Sequence, residues 1–339
     1  MIRAAAFALV GALMASAPSA ETTYRILDWS DLEGWNADEH SAALDVFTET
    51  CGDLDDPHWP ALCALAKGGA PARDVFERGF LPVLIENGED PLFTGYFEPE
   101  LAGSTVKTQT FRYPLHRLPP EAQNGQWLSR AEIETSGVLT GRGLEIAWLA
   151  DPVDKFFLQI QGSGRIRLPD GRGIRVGFGG KNGHPYRSVG NEMIRRGYLS
   201  PDKASAAMIR RWVEKNPEAG AELLRHNPSY VFFREVTRVP AHRGPLGAMN
   251  RSITAGRSIA VDPDYVPLGA PVWLEKDGKE PLRRLMIAQD TGSAVKGAQR
   301  ADIFFGTGPE AGETAGRVRD KGRMVVLLPV EMALDLAGS

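Results

Sequence analysis

The sequence predicts a mainly β protein with a few helices. It reads as a small barrel assembled from both ends of the chain, with a second β-rich domain inserted between them. Three observations predict this. The segment LFTGYFEPEL (Leu92 to Leu101) alternates and is rich in aromatic residues, as a half-buried strand is. After Ala241, five short apolar runs follow one another within about ninety residues, separated by Gly and Pro, with almost no helical spacing. Between these two β regions the chain changes texture and mixes turn-rich strands with helices. The predicted units are residues 21–101 together with 241–335, and an insertion over 102–240.

Taken in chain order, SAALDVFTETC from Ser41 reads as a helix, with Ser41 at its cap and Ala43, Leu44, Val46 and Phe47 on one side. Pro60–Ala66 and Ala72–Phe80 read as two more helices. In the middle segment, strands are expected at Phe156–Gln161 (FFLQIQ), Arg165–Leu168 and Ile174–Phe178, punctuated by PDGRG and GFGGKNG. Ser200-Pro201-Asp202 marks a helix start, after which Met208, Ile209 and Trp212 share a face. The late strands are Ser258–Val261, Val272–Glu275, Leu285–Gln289, Asp302–Phe305 and Met324–Leu328.

The chain has 339 residues, enough for roughly two domains. Its 24% charged and 42% hydrophobic composition is that of a folded protein rather than a disordered one. Lys and Arg total 39 against 43 Asp and Glu, a net charge of −4. That sum, without a basic stripe, argues against nucleic acid or an anionic membrane surface as partner.

Residues 1–20 read as a signal peptide. Arg3 supplies the positive start, Ala4 to Ala15 the apolar stretch, and Ala15, Ser16, Ala17, Ser19 and Ala20 the small cleavage residues. That stretch is well short of the roughly 20 residues that span a bilayer, and Pro18 ends it. No cysteine lies near the cut, so no lipid anchor is expected, and the mature chain is placed in the periplasm. Cys51 and Cys63 are the two cysteines, and in an oxidising compartment such a pair forms a disulfide. A thiol nucleophile or a zinc site needs partners that His58 alone does not supply.

Several catalytic signatures are absent. There is no HExxH, no GxSxG elbow and no P-loop; GSGRIR (Gly162 to Arg167) lacks the third glycine of a dinucleotide site and reads as a turn. No metal or cofactor is expected. What remains is a set of aspartates at strand edges: Asp262, Asp290 and Asp302. Such residues either cap turns or are displayed into a cleft. Asp302 differs in standing directly before the apolar run Ile303-Phe304-Phe305, which suits partial desolvation and a raised carboxyl pKa. Asp290 is its possible partner. Tyr96, Gln159, Gln161, Ser163 and Tyr186 are either ordinary sheet surface or a sugar-binding set. Lys296, in the loop after Asp290, is grouped with them.

Four segments carry a resemblance. FTGYFEPEL, FLQIQGSGRIRLPDG (Phe157 to Gly171), GPLGAMNRSITAGRSIAVDPDYVPLGAP (Gly244 to Pro271) and IAQDTGSAVKGAQRADIFFGTGPEAG (Ile287 to Gly312) are similar to the membrane-bound lytic murein transglycosylase A family. The last two resemble its 3D domain, named for three aspartates that match Asp262, Asp290 and Asp302. The resemblance implies a double-psi β-barrel built from both chain ends, an inserted β domain, and a groove for a glycan strand. It also implies non-hydrolytic cleavage of the MurNAc–GlcNAc β-1,4 bond of peptidoglycan. Asp302 would act as acid and then base, Asp290 would assist, and Asp262 would hold a turn. A single chain suffices for an open groove, so a monomer is expected. Three rival readings stand beside it: an inverting hydrolase using Asp302 and Asp290, an aspartic protease on the lone Asp290-Thr291-Gly292 triplet, and a non-catalytic glycan-binding module.

Overall fold

Pro99 separates two strands that belong to different sheets. The computed structural model describes residues 21–201 and 205–338, so the expected signal peptide lies outside the described residues. In chain order the strands are β1 (Thr23–Ile26), β2 (Phe80–Glu86), β3 (Leu92–Glu98), β4 (Glu100–Ser104), β5 (Tyr113–His116), β6 (Glu145–Leu149), β7 (Gly164–Arg167), β8 (Gly173–Lys181) and β9 (Val231–Glu235). They continue as β10 (Ser258–Val261), β11 (Pro271–Lys276), β12 (Leu282–Thr291), β13 (Arg300–Thr307), β14 (Arg319–Asp320) and β15 (Gly322–Pro329). The helices are α1 (His40–Thr50), α2 (Trp59–Lys67), α3 (Ala72–Gly79), α4 (Arg130–Ser136), α5 (Pro152–Gln161), α6 (Val189–Arg195), α7 (Ala206–Lys215), α8 (Pro217–Arg225), α9 (Pro309–Ala315) and α10 (Val330–Gly338).

The first sheet joins both ends of the chain, in the order β1-β2-β15-β11-β12-β10-β13-β3-β14. Two of its pairings are parallel, β10 with β12 and β13 with β3; the others are antiparallel. The order runs from one edge strand to the other, and no pairing among the described residues closes it into a barrel. β11 is buried at every position, from Pro271 to Lys276, as a strand is when both its faces are covered, and α1 to α3 pack into the same core. Phe47 of α1 packs edge-on against Phe76 of α3 and Phe80 of β2, and Trp35 meets Trp273. The disulfide Cys51–Cys63 ties the end of α1 to α2 across a Cα separation of 5.4 Å.

The second sheet has the order β5-β6-β4-β7-β8-β9. Here the structure departs from the expected strand at Phe156–Gln161. Those residues form the end of helix α5, which Asp151 caps by accepting from the Val153 N–H at 2.6 Å and which Gly162 ends at φ 79°. An Asp-Pro start and a Gly stop outweigh a short apolar run that suits either state. Among the described residues the segment therefore contributes five α-helices, α4 to α8, as well as strands. The expected start at Ser200-Pro201-Asp202 falls partly outside the described residues. The next helix, α7, begins at Ala206, with the Ser205 hydroxyl accepting from the Met208 N–H.

Glu98, the last residue of β3, is fully buried and joins the two sheets. Arg165 of β7 reaches it at 2.9 Å, Arg175 of β8 at 2.6 Å, and the Thr307 hydroxyl of β13 at 2.8 Å. A carboxylate taken out of water is tolerated only when paired and hydrogen-bonded this fully. Among the described residues, no helix is long and apolar enough to cross a membrane.

Candidate active site

Four strands of the first sheet carry the site in one row. Asp290 of β12 and Asp302 of β13 both register with Ala260 of β10, and Asp302 registers in turn with Thr94 of β3. Laterally paired residues project from the same face of a sheet. A β-bulge between Ile259 and Ala260 is what brings Asp290 into that row. Tyr96, two residues beyond Thr94, returns to the same face, packs on Phe304 at 5.3 Å and donates its hydroxyl to Asp290 Oδ2 at 2.9 Å.

Asp302 is half-buried, and among the described residues its carboxyl has one hydrogen-bond partner, the Thr94 hydroxyl at 2.7 Å from Oδ1. Thr94 in turn contacts Arg300 Nη2 at 2.8 Å. A guanidinium only donates, so the hydroxyl accepts from Arg300 and gives its proton to Asp302 Oδ1. No hydrogen bond from a described residue reaches Oδ2, which is left to carry an acidic proton. Burial pushes the Asp302 carboxyl above the usual carboxylate range, and the Thr94 hydroxyl and Arg300 charge offset only part of that.

Asp290 is held differently. Its Oδ1 accepts from the backbone N–H of Ala248 and of Thr291, each at 2.9 Å, while Tyr96 occupies Oδ2. Burial pushes this carboxyl up to about 6 against those three donors, with the Asp302 charge adding to the rise. At neutral pH it is ionised, with both oxygens already engaged. The Ala248 N–H reaches it because Gly247 lets the loop come close: a Cβ there would lie 2.6 Å from the Gln289 carbonyl oxygen. Tyr96, buried beside Asp290, has its phenol pushed well above its ordinary pKa. A cleft of about 580 Å³ between the sheets is lined by Arg165 from β7 and by Ile253, Phe304, Gly306 and Thr307; it adjoins the site through Phe304, which packs on Tyr96, and the aspartates themselves do not line it.

The remaining expected residues fall in several places. Gln161 accepts from the Phe97 N–H at 3.0 Å, tying α5 to the site strand. Gln159 is buried, with its amide held by Arg130 at 2.6 Å and by the Val231 carbonyl at 2.8 Å. Ser163 is buried at the start of β7. Tyr186 stands beside Ser188 and near Arg130, its phenol raised chiefly by burial. Lys296 is exposed and paired with Asp262 at 2.7 Å. Asp262 is 2% exposed and also accepts from the Gly297 N–H at 2.9 Å, pinning the turn after β10 to the loop after β12. Burial pushes its carboxyl up, yet the Lys296 ammonium and Gly297 N–H outweigh it and hold the group below its ordinary value. Tyr96, Asp290 and Asp302 are thus brought together, whereas Gln159 and Lys296 are engaged elsewhere. Thr94, Arg300 and Ala248 were not singled out in the sequence; only their closeness to Tyr96 and the two aspartates could have drawn attention to them. Among the described residues, no group of three or more His, Cys, Asp or Glu is placed to hold a metal ion.

Comparison with known proteins adds to this geometry. The MltA specific insert domain matches residues 92–234, and the 3D domain matches residues 257–328. The membrane-bound lytic murein transglycosylase A of Escherichia coli (strain K12) is 38% identical over 245 residues, 69% of this chain. The match spans 65% of that relative's length, slightly under two thirds. A membrane-bound lytic murein transglycosylase from Agrobacterium tumefaciens superposes with a TM-score of 0.83 at 32% identity, covering 93% of this chain and 99% of that one. E. coli MltA with bound chitohexaose superposes with a TM-score of 0.74 at 30% identity, covering 92% and 96%. The chain belongs to the membrane-bound lytic murein transglycosylase A family.

Proposed function

We propose that this protein is a lytic murein transglycosylase that cleaves the MurNAc–GlcNAc β-1,4 bond of peptidoglycan and leaves 1,6-anhydro-MurNAc ends. The observation that carries this reading is Asp302: a half-buried carboxyl with a raised pKa, one oxygen fixed by Thr94 and the other free of protein donors. A protonated Asp302 donates from Oδ2 to the glycosidic oxygen as positive charge develops at the muramic acid C1. The carboxylate so formed takes the proton of that sugar's C6 hydroxyl, whose oxygen closes the anhydro ring on C1. The nucleophile belongs to the substrate, so one carboxyl group serves both steps.

Asp290 bears on the rival inverting hydrolase. Three donors take three of the roughly four lone-pair sites of this carboxylate, so a water reaches it only at Oδ2 beside the Tyr96 hydroxyl, and product analysis decides between the two readings. In the transglycosylase reading Asp290 fixes Tyr96 and the Gly247–Ala248 loop, and its negative charge stabilises the oxocarbenium ion. The bound chitohexaose of the E. coli relative supports a glycan strand as ligand. The substrate runs along the cleft between the sheets, and the chain acts on it as a monomer. We read the two sheets as two units, residues 21–101 with 241–335 and residues 102–240. We read the first as a double-psi barrel; the parallel pairs β10–β12 and β3–β13, the second of which joins the two chain ends, support that. The charge and apolar pattern of residues 1–20 supports secretion to the periplasm.

Product analysis tests the function. Peptidoglycan digested by the protein should yield anhydro ends, one water lighter than reducing ends, and Asp302→Asn should lose at least about 10²-fold in turnover. Incorporation of labelled solvent oxygen at the new ends would establish a hydrolase instead.

A further inference from the structure

A second cavity, of about 630 Å³, lies in the other sheet's half of the molecule, between β5, β6, α4, α5 and α8. None of its lining residues belongs to the aspartate row. It holds three cations around one carboxylate: Arg130, Lys155 and Arg225 approach Glu134 at 3.3, 3.8 and 3.4 Å. Arg130 is otherwise satisfied by the carbonyls of Asn227 and Ser229 and the amide oxygen of Gln159. Lys155 and Arg225 are not. The Lys155 side chain is 10% exposed, and its ammonium makes no hydrogen bond among the described residues; its other neighbour is the Tyr230 ring at 5.1 Å. Arg225 Nε, the atom that faces Glu134 Oε2, is buried and makes no hydrogen bond among the described residues, while the side chain as a whole is 35% exposed.

One carboxylate shared by three cations leaves positive charge in excess, and such charge held away from water is costly unless an anion joins it. Lys155 and Arg225 both line the cavity, where an anionic ligand supplies that charge. Of the other lining carboxylates, Asp151 is engaged by Arg210 at 2.9 Å, Glu214 is exposed and Glu145 is half-buried. His116, which shares a hydrogen bond with the Tyr230 hydroxyl at 3.1 Å, adds no charge: burial, then Lys155, hold it down to about 3. The walls beside the cations are apolar, among them Ile133, Leu139, Val153 and Leu224.

We propose that this cavity binds the free carboxylate of a short peptide, with the carboxylate on Lys155 and Arg225 and small alkyl side chains against the apolar wall. Peptide stems on muramic acid present such carboxylates, and in naming them as the source the inference rests on the proposed function. Helix α5 links the two places. Lys155 stands six residues before Gln161, about 9 Å of helix, and Gln161 holds the backbone of Phe97 beside Tyr96.

Calorimetric titration of the full chain with N-acetyl-D-alanyl-D-alanine tests this without reference to catalysis. The acid should bind, its C-terminal amide should bind at least about tenfold more weakly, and Lys155→Met should cost the acid about tenfold or more. Ala221→Leu, which fills the cavity while keeping every charge, should weaken binding too. Turnover then separates the sources. If the attached stem is the ligand, Lys155→Met slows digestion of peptide-bearing sacculi and leaves peptide-free glycan strands unaffected; if a free peptide is the ligand, both digest normally while binding is lost. Equal binding of acid and amide, undiminished binding by both variants, or no binding of the acid at millimolar concentration overturns the proposal. Absence of anhydro products would defeat the reading of the aspartate site and leave the peptide titration standing.

Discussion

Asp290 and Asp302 flank the same residue, Ala260, from opposite sides, two strand spacings apart on one face of the sheet. Their surroundings divide the work. Asp290 accepts from three donors spread over both oxygens, whereas Asp302 keeps one oxygen for substrate. Two carboxyl groups whose environments differ in this way take different protonation roles.

Thr94→Val should shift the alkaline limb of the activity profile upward. The Thr94 hydroxyl stabilises the charged form of Asp302, so its removal raises a carboxyl pKa that is already high. A pH profile of kcat/KM on purified glycan strands reads the shift. An unmoved or lowered limb would detach Thr94 from the acid.

Asp290→Asn should change how stability depends on pH. The folded pKa of about 6 lies above the ordinary 3.8, so the folded state holds the proton more tightly than the unfolded chain does. The Asp290 contribution to wild-type stability therefore rises as pH falls from 7 through 6 towards 4, by up to about 3 kcal/mol, and the variant lacks that rise. Thermal melts of both proteins across pH 4–8 measure it, with the gap in favour of the variant widest at the alkaline end.

Glu98→Gln leaves Arg165 and Arg175 without their shared carboxylate, inside the junction of the two sheets. Breaking a buried pair in this way costs about 3–5 kcal/mol. Denaturant unfolding should show a loss of that order. Turnover should fall with it, because Arg165 also lines the cleft.

Gly247→Ala forces a methyl group against the Gln289 carbonyl and close to Asp290 Cβ, which lies 3.4 Å from the added atom. The loop must move, and the Ala248 N–H moves off Asp290. A loss of about 1–3 kcal/mol and a fall in turnover are expected. Normal activity would mean that the Ala248 contact is dispensable.

The strands were the most legible part of the chain. Ser258–Val261 matches β10 from end to end, and the other four late runs each fall inside a strand. Short β-branched stretches bounded by Gly and Pro have few alternative states. The cysteine pair was legible for a similar reason, since only one partner existed for each thiol. FFLQIQ was not: six residues with mixed apolar positions suit strand and helix equally, and the flanking Asp-Pro and Gly carried the decision.

At the site, the sequence by itself singled out Asp302 through the apolar run that follows it, and brought forward Asp290 and Tyr96. It could not say that Tyr96 donates to Asp290, residues 194 apart in sequence, nor that Gln159 is spent on Arg130 and Val231. It gave no sign of the second cavity, whose three cations, sharing Glu134, come from three helices. Local sequence dictates local conformation, because backbone torsions, caps and alternation act over a few residues. Which donor meets which acceptor, and which charge is left buried without one, depends on how distant segments pack, and tertiary structure alone decides that.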